Sequence, residues 1–460
     1  MTGFIKNTLS FVLIFSLLFS ALSFTAFATE ESDTEEVTIS ADFAGVYNVE
    51  SGEMLFEKNA NTIIYPASLV KIMTATLALE YYEKNKNSGT EIEVTASALE
   101  TLKGNDINLE VGEKVSFYDL IAAVVIGGAN DAALVLAEHI SGSVDKFVDL
   151  MNKKAESLGA VNTVFANPTG FHSPYMYSTI TDLVKICNWA NKNQEFMKLS
   201  STLTYKMPQT NLSKERTFTN SNLLLNPTHW LRHYKSGTSG MNVGMTQEAG
   251  YTLATVYDND GLTNIVIIVG GKSEGFDYHY FNDARTLIDY TSESYSYSTL
   301  VSKDKPVADM SVLYGKDTDH VLLTTKSEIT VLLPDDYDEN NITFDYTITQ
   351  DEFIAPVTKG AEFGSYNVYY EGELVGSVPL VTQANIKRDY FAFVTGVIAN
   401  FFALDTVRGV INLTLSLLLF AVTVLSLIYY IRKKRRLERQ RAERMRKMNR
   451  ARRNIKQNMR

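Results

Sequence analysis

The apolar and polar positions of this 460-residue chain fall into three regimes. At the start, Lys6 precedes an apolar run from Leu9 to Leu22 that only Ser10, Ser16 and Ser20 interrupt. Near the end, Val410 to Ile431 carries no charge at all. Between them, short patterned segments alternate with polar breaks. Ala44–Val49 and Met54–Lys58 read as strands around Glu50-Ser51-Gly52-Glu53, a hairpin turn. After Pro66, the spacing of Leu69, Ile72, Met73, Thr76 and Leu77 predicts a helix from Ser68 to Tyr82. Further helical runs are Phe117–Ile126, Asp131–Ile140, Val144–Leu158 and Thr181–Asn191. Tyr251–Tyr257 and Asn264–Val269 are β-rich and flank Asp258-Asn259-Asp260-Gly261, a second hairpin. Strands at both ends with helices between predict one α/β (α+β) domain over 40–290 whose terminal strands share a sheet. Residues 291–305 are polar and serine-rich and read as a linker. From Val307 to Thr382, short β-rich runs separated by Gly, Asp and Asn predict a small all-β sandwich over 300–385.

The two apolar ends place the chain at a membrane. Ala26-Phe27-Ala28 supplies the small residues of a signal-peptide cleavage site, so residues 1–28 are expected to be removed. Residues 410–431 are long enough to cross a hydrocarbon core of roughly 30 Å. Arg432-Lys433-Lys434-Arg435-Arg436 follows at once, which predicts a cytoplasmic C-terminus. The Phe-rich stretch 389–404 reads as an interfacial amphipathic segment. Formal net charge is −10, but residues 432–460 hold 15 Lys and Arg against 2 Glu, leaving 28 against 51 in the remainder. An acidic body with a basic membrane-proximal tail argues against nucleic acid as a partner. Cys187 is the single cysteine. That excludes a disulfide framework and a cysteine-ligated zinc site, and with no histidine cluster no metal or cofactor is expected.

Candidate chemistry centres on three short motifs. Ser68-Leu69-Val70-Lys71 sets a hydroxyl and an amine one helical turn apart. A neutral lysine can take the serine proton while the hydroxyl attacks a carbonyl. Two other Ser-x-x-Lys matches occur, Ser143…Lys146 and Ser302…Lys305, so the motif alone is weak and a helix N-cap is the competing reading of Ser68. The apolar neighbours Leu69, Val70, Ile72 and Met73 argue for chemistry, because burial would lower the amine's pKa toward that of a base. Lys235-Ser236-Gly237-Thr238 is the one Lys-Ser/Thr-Gly triplet. On an edge strand it could hold a substrate carboxylate and aim an amide at an oxyanion; its bland alternative is a polar strand end. Gly127-Gly128-Ala129-Asn130-Asp131 is a bend before a helix, with an N-cap at Asn130 or Asp131 as its bland alternative. No Gly-x-Ser-x-Gly elbow, phosphate-binding loop or His-Glu-x-x-His is present.

The order Ser68/Lys71, Asn130, Lys235 resembles the penicilloyl serine transferases, most closely the low-molecular-mass penicillin-binding D-alanyl-D-alanine carboxypeptidases. Tyr65–Thr74, Asn167-Pro168-Thr169-Gly170-Phe171, Tyr177-Ser178-Thr179, Ala249-Gly250-Tyr251 and Ala355–Gly360 with Gly364 resemble further segments of that family, over roughly residues 40–385. The resemblance implies a penicillin-binding, β-lactamase-like catalytic domain. It implies removal of the terminal D-alanine from peptidoglycan stem pentapeptides, with β-lactams as inhibitors. By residue it implies Ser68 as acylated nucleophile, Lys71 as base and Asn130 on the acyl-side amide. Lys235 and Ser236 would hold the terminal carboxylate, Gly237 would admit the substrate, and the amides of Ser68 and Thr238 would form the oxyanion hole. One position departs: Gly128 stands where the family has a serine that relays a proton to the leaving group. Two alternatives compete, a penicillin-binding sensor or scaffold with little turnover and a β-lactamase. Release of D-alanine from a pentapeptide separates all three.

Overall fold

The first hairpin opens a five-stranded antiparallel sheet in the computed structural model, which describes residues 37–85, 91–228, 231–259 and 261–457. Its strands are β1 (Phe43–Asn48), β2 (Met54–Lys58), β3 (Thr238–Thr246), β4 (Gly250–Asn259) and β5 (Leu262–Gly271), in the order β2-β1-β5-β4-β3. Ala44 lies opposite Ile268 and Val46 opposite Val266, so the first and last strands of this region do share one sheet. The longer helices are α1 (Val70–Lys84), α2 (Phe117–Val125), α3 (Asn130–Ser141), α4 (Val144–Ser157), α5 (Ile180–Asn191) and α6 (His279–Ser294). Successive β5 side chains face opposite ways, as a pleated strand requires. Ile265, Ile267 and Val269 join the core built with α1, α2 and α3, while Val266 and Ile268 pack with Phe281, Leu287 and Ile288 of α6.

Helix α1 differs from an ordinary amphipathic surface helix. Every residue from Val70 to Leu79 is buried, Lys71 included. It therefore runs through the helical layer and carries its polar groups into the interior. The two decoy Ser-x-x-Lys pairs have structural roles. Ser143 caps α4 by accepting from the Lys146 amide at 3.2 Å, and Lys305 donates to the Tyr366 hydroxyl at 3.0 Å.

Neither β3 nor α6 was visible in the sequence pattern. The expected linker is not one either: α6 continues to Ser294, and Tyr295–Val301 is a strand paired with Ile329–Pro334.

The chain divides into two compact units, one running to Ser296 and taking in Leu332–Asp336, the other comprising Tyr297–Val331 and Tyr337–Arg460. In the second unit, β6 (Pro306–Leu313), β7 (His320–Thr325), β8 (Ile342–Ile348), β9 (Phe353–Ile354), β10 (Glu362–Tyr370) and β11 (Glu373–Thr382) form a six-stranded sheet, ordered β8-β10-β11-β7-β6-β9. Its C-terminal part is helical. Asp389 caps Tyr390–Ala403 by accepting from the Phe391 and Ala392 amides, both at 2.9 Å. A single helix then spans Asp405–Gln457, and it is long and apolar enough to cross a membrane. The signal peptide expected at 1–28 lies outside the described residues.

Candidate active site

Ser68 sits in a 3-10 turn, Ala67–Leu69, just ahead of α1. Ala67 holds a left-handed φ of 46°, an unfavourable conformation for a residue with a Cβ and one that structures keep where they need it. Neither this turn nor α1 has a side-chain N-cap, so the Ser68 hydroxyl is not spent on capping. Three residues on, Lys71 Nζ approaches Ser68 Oγ to 3.5 Å and donates to the Thr169 carbonyl at 2.5 Å. Lys71 is 2% exposed. Burial without a compensating carboxylate disfavours the ammonium and lowers its pKa from 10.5 to about 7.

The loop that receives Lys71 is self-braced. Asn167 Oδ1 accepts from Thr169 N at 3.1 Å, Gly170 N at 2.8 Å and Thr169 Oγ1 at 2.9 Å, an asparagine turn built from local backbone bonds. This fixes the Thr169 carbonyl toward Lys71 and the Pro168 carbonyl toward Thr74 Oγ1 at 2.7 Å. Gly170, at φ +77°, is required: a Cβ there would lie 2.0 Å from the Ala67 carbonyl oxygen. The sequence reading noted this loop but missed the Thr169 carbonyl as a partner of Lys71; the Asn-Pro-Thr-Gly turn signal was the clue available.

Asn130 is the first residue of α3, and Ala129, not Asn130 or Asp131, occupies the N-cap position. Its Nδ2 donates to the Lys103 carbonyl at 2.6 Å, while its Oδ1 is buried without a partner. Asp131 instead braces the bend, accepting from the Ile107, Leu109 and Ala132 amides at 2.9–3.0 Å. Gly128 adopts φ +64°, with Asn105 Nδ2 donating to the Gly127 and Gly128 carbonyls at 2.9 and 3.2 Å.

The fourth wall corrects the sequence reading. Strand β3 passes so close to the nucleophile that a Cβ on Gly244 would lie 2.2 Å from Ser68 Cβ and 2.5 Å from Oγ. The segment facing Ser68 is therefore Asn242-Val243-Gly244. Lys235, Ser236, Gly237 and Thr238 do not line the cleft. The β3–β4 register explains why. Gly244 lies opposite Thr252 beside the tight turn, whereas Thr238 lies opposite Tyr257 at the far end, roughly 20 Å away along the strand. There Lys235 pairs with Asp289 and lies 5.6 Å from the Tyr257 ring centroid. Ser236 is exposed, the Gly237 carbonyl accepts from Asp258 N at 2.9 Å, and Thr238 Oγ1 donates to the Lys235 carbonyl at 2.6 Å.

These elements enclose a cleft of about 630 Å³, lined by Ser68, Lys71, Asn130, Thr169, Asn242 and Gly244 among others. His172 and Glu248 also line it, with His172 Nδ1 3.8 Å from Glu248 Oε2. A hydroxyl beside a buried, near-neutral amine and an edge strand is a device for acyl transfer. Cys187, by contrast, is buried, and its thiol is pushed up to about 12 by burial, which removes it as a nucleophile.

Known proteins resemble this chain over most of its length. Residues 28–273 match the peptidase family described as D-alanyl-D-alanine carboxypeptidase, and residues 295–388 match the C-terminal domain of penicillin-binding protein 5. The chain is 28% identical over 387 residues to D-alanyl-D-alanine carboxypeptidase DacF of Bacillus subtilis, covering 84% of this chain and 96% of the relative. It is 28% identical over 375 residues to DacC of Escherichia coli, covering 80% and 89%. The fold is shared with penicillin-binding protein 5 of Haemophilus influenzae, with TM-score 0.60 and 24% identity over 76% of this chain and 98% of that one.

Proposed function

This chain belongs to the D-alanyl-D-alanine carboxypeptidase family, and from that premise we propose that Ser68 is the residue it acylates, with Lys71 as base. The reaction is serine-type hydrolysis of a D-alanyl-D-alanine bond in a peptidoglycan stem peptide. Neutral Lys71 accepts the Ser68 Oγ proton as the oxygen attacks the penultimate D-alanine carbonyl. The amide of Ser68 and an edge amide of β3 beside Gly244 take the oxyanion. Collapse expels D-alanine, whose amine recovers the proton, and leaves an acyl-enzyme on Ser68. Water, deprotonated by Lys71, then releases the shortened peptide. Asn130 holds the amide on the acyl side through its free Oδ1. β-Lactams occupy the same cleft and acylate the same hydroxyl.

The observation that carries this reading is the amine–hydroxyl pair: Lys71 is 2% exposed, 3.5 Å from Ser68 Oγ and lowered to about 7. The test is mass spectrometry of protein incubated with a β-lactam and, separately, with a D-alanyl-D-alanine peptide. The adduct is expected on Ser68 and is expected to vanish in Ser68→Ala. An adduct on another residue would sink the assignment.

We further infer that residues 410–431 span the membrane, with the acidic body outside and the basic tail at 432–460 in the cytoplasm. The step from apolar helix to Arg432-Lys433-Lys434-Arg435-Arg436 supports this orientation. Protease added to intact cells should digest the body and spare the tail. Protection of the body would reverse the orientation.

A further inference from the structure

Strand β3 carries an observation that the family assignment leaves unexplained. Asn242 and Gly244 are two residues apart on a regularly paired stretch, opposite Ala254 and Thr252, so they face the same way. Gly244 faces Ser68. The Asn242 side chain therefore stands roughly 7 Å along the strand from the nucleophile's wall, within reach of a group one bond or two beyond a scissile peptide. It is 7% exposed, it lines the cleft, and its Oδ1 has no hydrogen-bond partner within the protein. A buried amide left unsatisfied costs stability, and a ligand that completes its bonds recovers that cost. An asparagine amide offers two donors and an acceptor. Its complement is another amide, which both donates and accepts; a carboxylate only accepts and brings a charge.

The rest of the cleft offers that charge little. Among the described residues that line it, the basic side chains are Lys71 and His172. Lys71 must stay neutral to serve as base, and His172 faces the Glu248 carboxylate. Lys103 is exposed and lies 5.7 Å from the Phe171 ring centroid, on the Asn130 side of the cleft and not on β3. The Lys235 ammonium is committed to Asp289 at the other end of the strand. A free carboxylate bound beside Asn242 would be desolvated without a cation.

We propose that Asn242 is a specificity-determining residue that widens the site beyond the terminal acid, admitting at least as readily substrates in which the residue after the scissile bond bears a neutral carboxamide, amidated or continuing as peptide. This rests on Ser68 being the acylated residue.

The test uses the full-length protein in detergent and three peptides that differ only beyond the scissile bond. One ends in D-alanyl-D-alanine as the acid, one ends in its carboxamide, and one extends the chain by a further residue. Acylation rates, kcat/KM and the mass of the Ser68 adduct are measured for each. In the wild type, the carboxamide is expected to react at least as fast as the acid, and comparison with the extended peptide shows whether a terminal amide or an internal bond is preferred. Asn242→Lys should shift the acid-to-carboxamide ratio toward the acid by roughly tenfold or more, the scale of one charge-assisted hydrogen bond. Asn242→Leu, which removes the amide without adding charge, should slow the carboxamide relative to the acid; melting curves check that both variants fold. An acid preferred about tenfold by the wild type, or a ratio that Asn242→Lys leaves unchanged, overturns the proposal while the Ser68 adduct stands. Absence of an adduct with all three peptides overturns the Ser68 assignment and this proposal with it.

Discussion

Replacing Lys71 with methionine should destroy acylation and at the same time stabilise the fold, by an amount that depends on pH. In the unfolded chain Lys71 keeps its proton up to about pH 10.5; in the folded chain it keeps it only up to about 7. Between those values the unfolded state binds the extra proton, so its contribution to folding stability rises with pH. The gap, at about 1.4 kcal/mol per pH unit, makes the buried amine a liability of roughly 5 kcal/mol well below pH 7, about 4 kcal/mol at pH 7.0 and roughly 1 kcal/mol at pH 9.5. Methionine has a similar length and no charge to bury, so it removes this liability at every pH.

Urea unfolding of the wild type and Lys71→Met at pH 7.0 and 9.5 reads the difference directly. The variant's advantage is expected to shrink by roughly 3 kcal/mol between the two. An advantage that does not change with pH would refute the reasoning, because it would mean that Lys71 titrates alike folded and unfolded. The same shift sets activity: kcat/KM for acylation should rise through an apparent pKa near 7 as the base becomes neutral.

Three smaller substitutions test the walls of the cleft. Gly244→Ala should cost about a hundredfold or more in acylation, because its methyl displaces Ser68; retained rates would remove β3 from the site. Lys235→Ala should leave acylation of a pentapeptide within about twofold and stability within about 1 kcal/mol, as expected of a partly exposed ion pair outside the cleft; a large loss of rate would restore the triplet as a binding element. Gly128→Ser should not raise acylation of a pentapeptide and should lower stability by about 1 kcal/mol, since a side chain at φ +64° is strained; a tenfold gain in rate would show a handicapped enzyme.

The parts of the fold that were legible are those whose residues carry a periodicity. The β1–β2 hairpin, α1 and the β4–β5 pair are all read from alternation or helical spacing, because burial on one side imprints it. Strand β3 was illegible for the reason that makes it part of the site. Where Ser68 and the Ser200 carbonyl press on it, only glycine fits, at Gly244 and Gly240, and glycines erase the β-rich composition that a strand is recognised by. The Lys235 triplet was chosen by residue type and its order along the chain. Geometry would have chosen otherwise, because Ala249-Gly250-Tyr251 marks the turn into β4. The residues facing a nucleophile next to that turn lie about six positions upstream, not thirteen. The lowered pKa of Lys71 was legible in outline from its apolar neighbours, but its acceptor, the Thr169 carbonyl, depends on a contact across 98 positions.

Gly128, the departure from the resembled pattern, and Asn242, the cleft asparagine of β3, have a common physical logic. Both concern the departing amine, while the pair that makes the acyl-enzyme, Ser68 and Lys71, is intact. An α-amine beside a peptide-type carbonyl has a pKa of about 8; beside a free carboxylate the opposite charge makes it more basic. A more basic amine is a worse leaving group and needs more help from a proton donor. A site that admits carboxamides through Asn242 therefore has less use for a hydroxyl at 128, and a hydroxyl there can serve only an amine that β3 holds in place. The two positions should then be coupled. On the acid peptide, Gly128→Ser alone should gain nothing and Asn242→Lys alone should gain roughly tenfold, whereas the double variant should exceed the product of the two by a coupling of about 1 kcal/mol or more. On the carboxamide peptide the coupling should vanish. Strict additivity on both peptides would separate the two positions and leave Gly128 without a role in leaving-group departure.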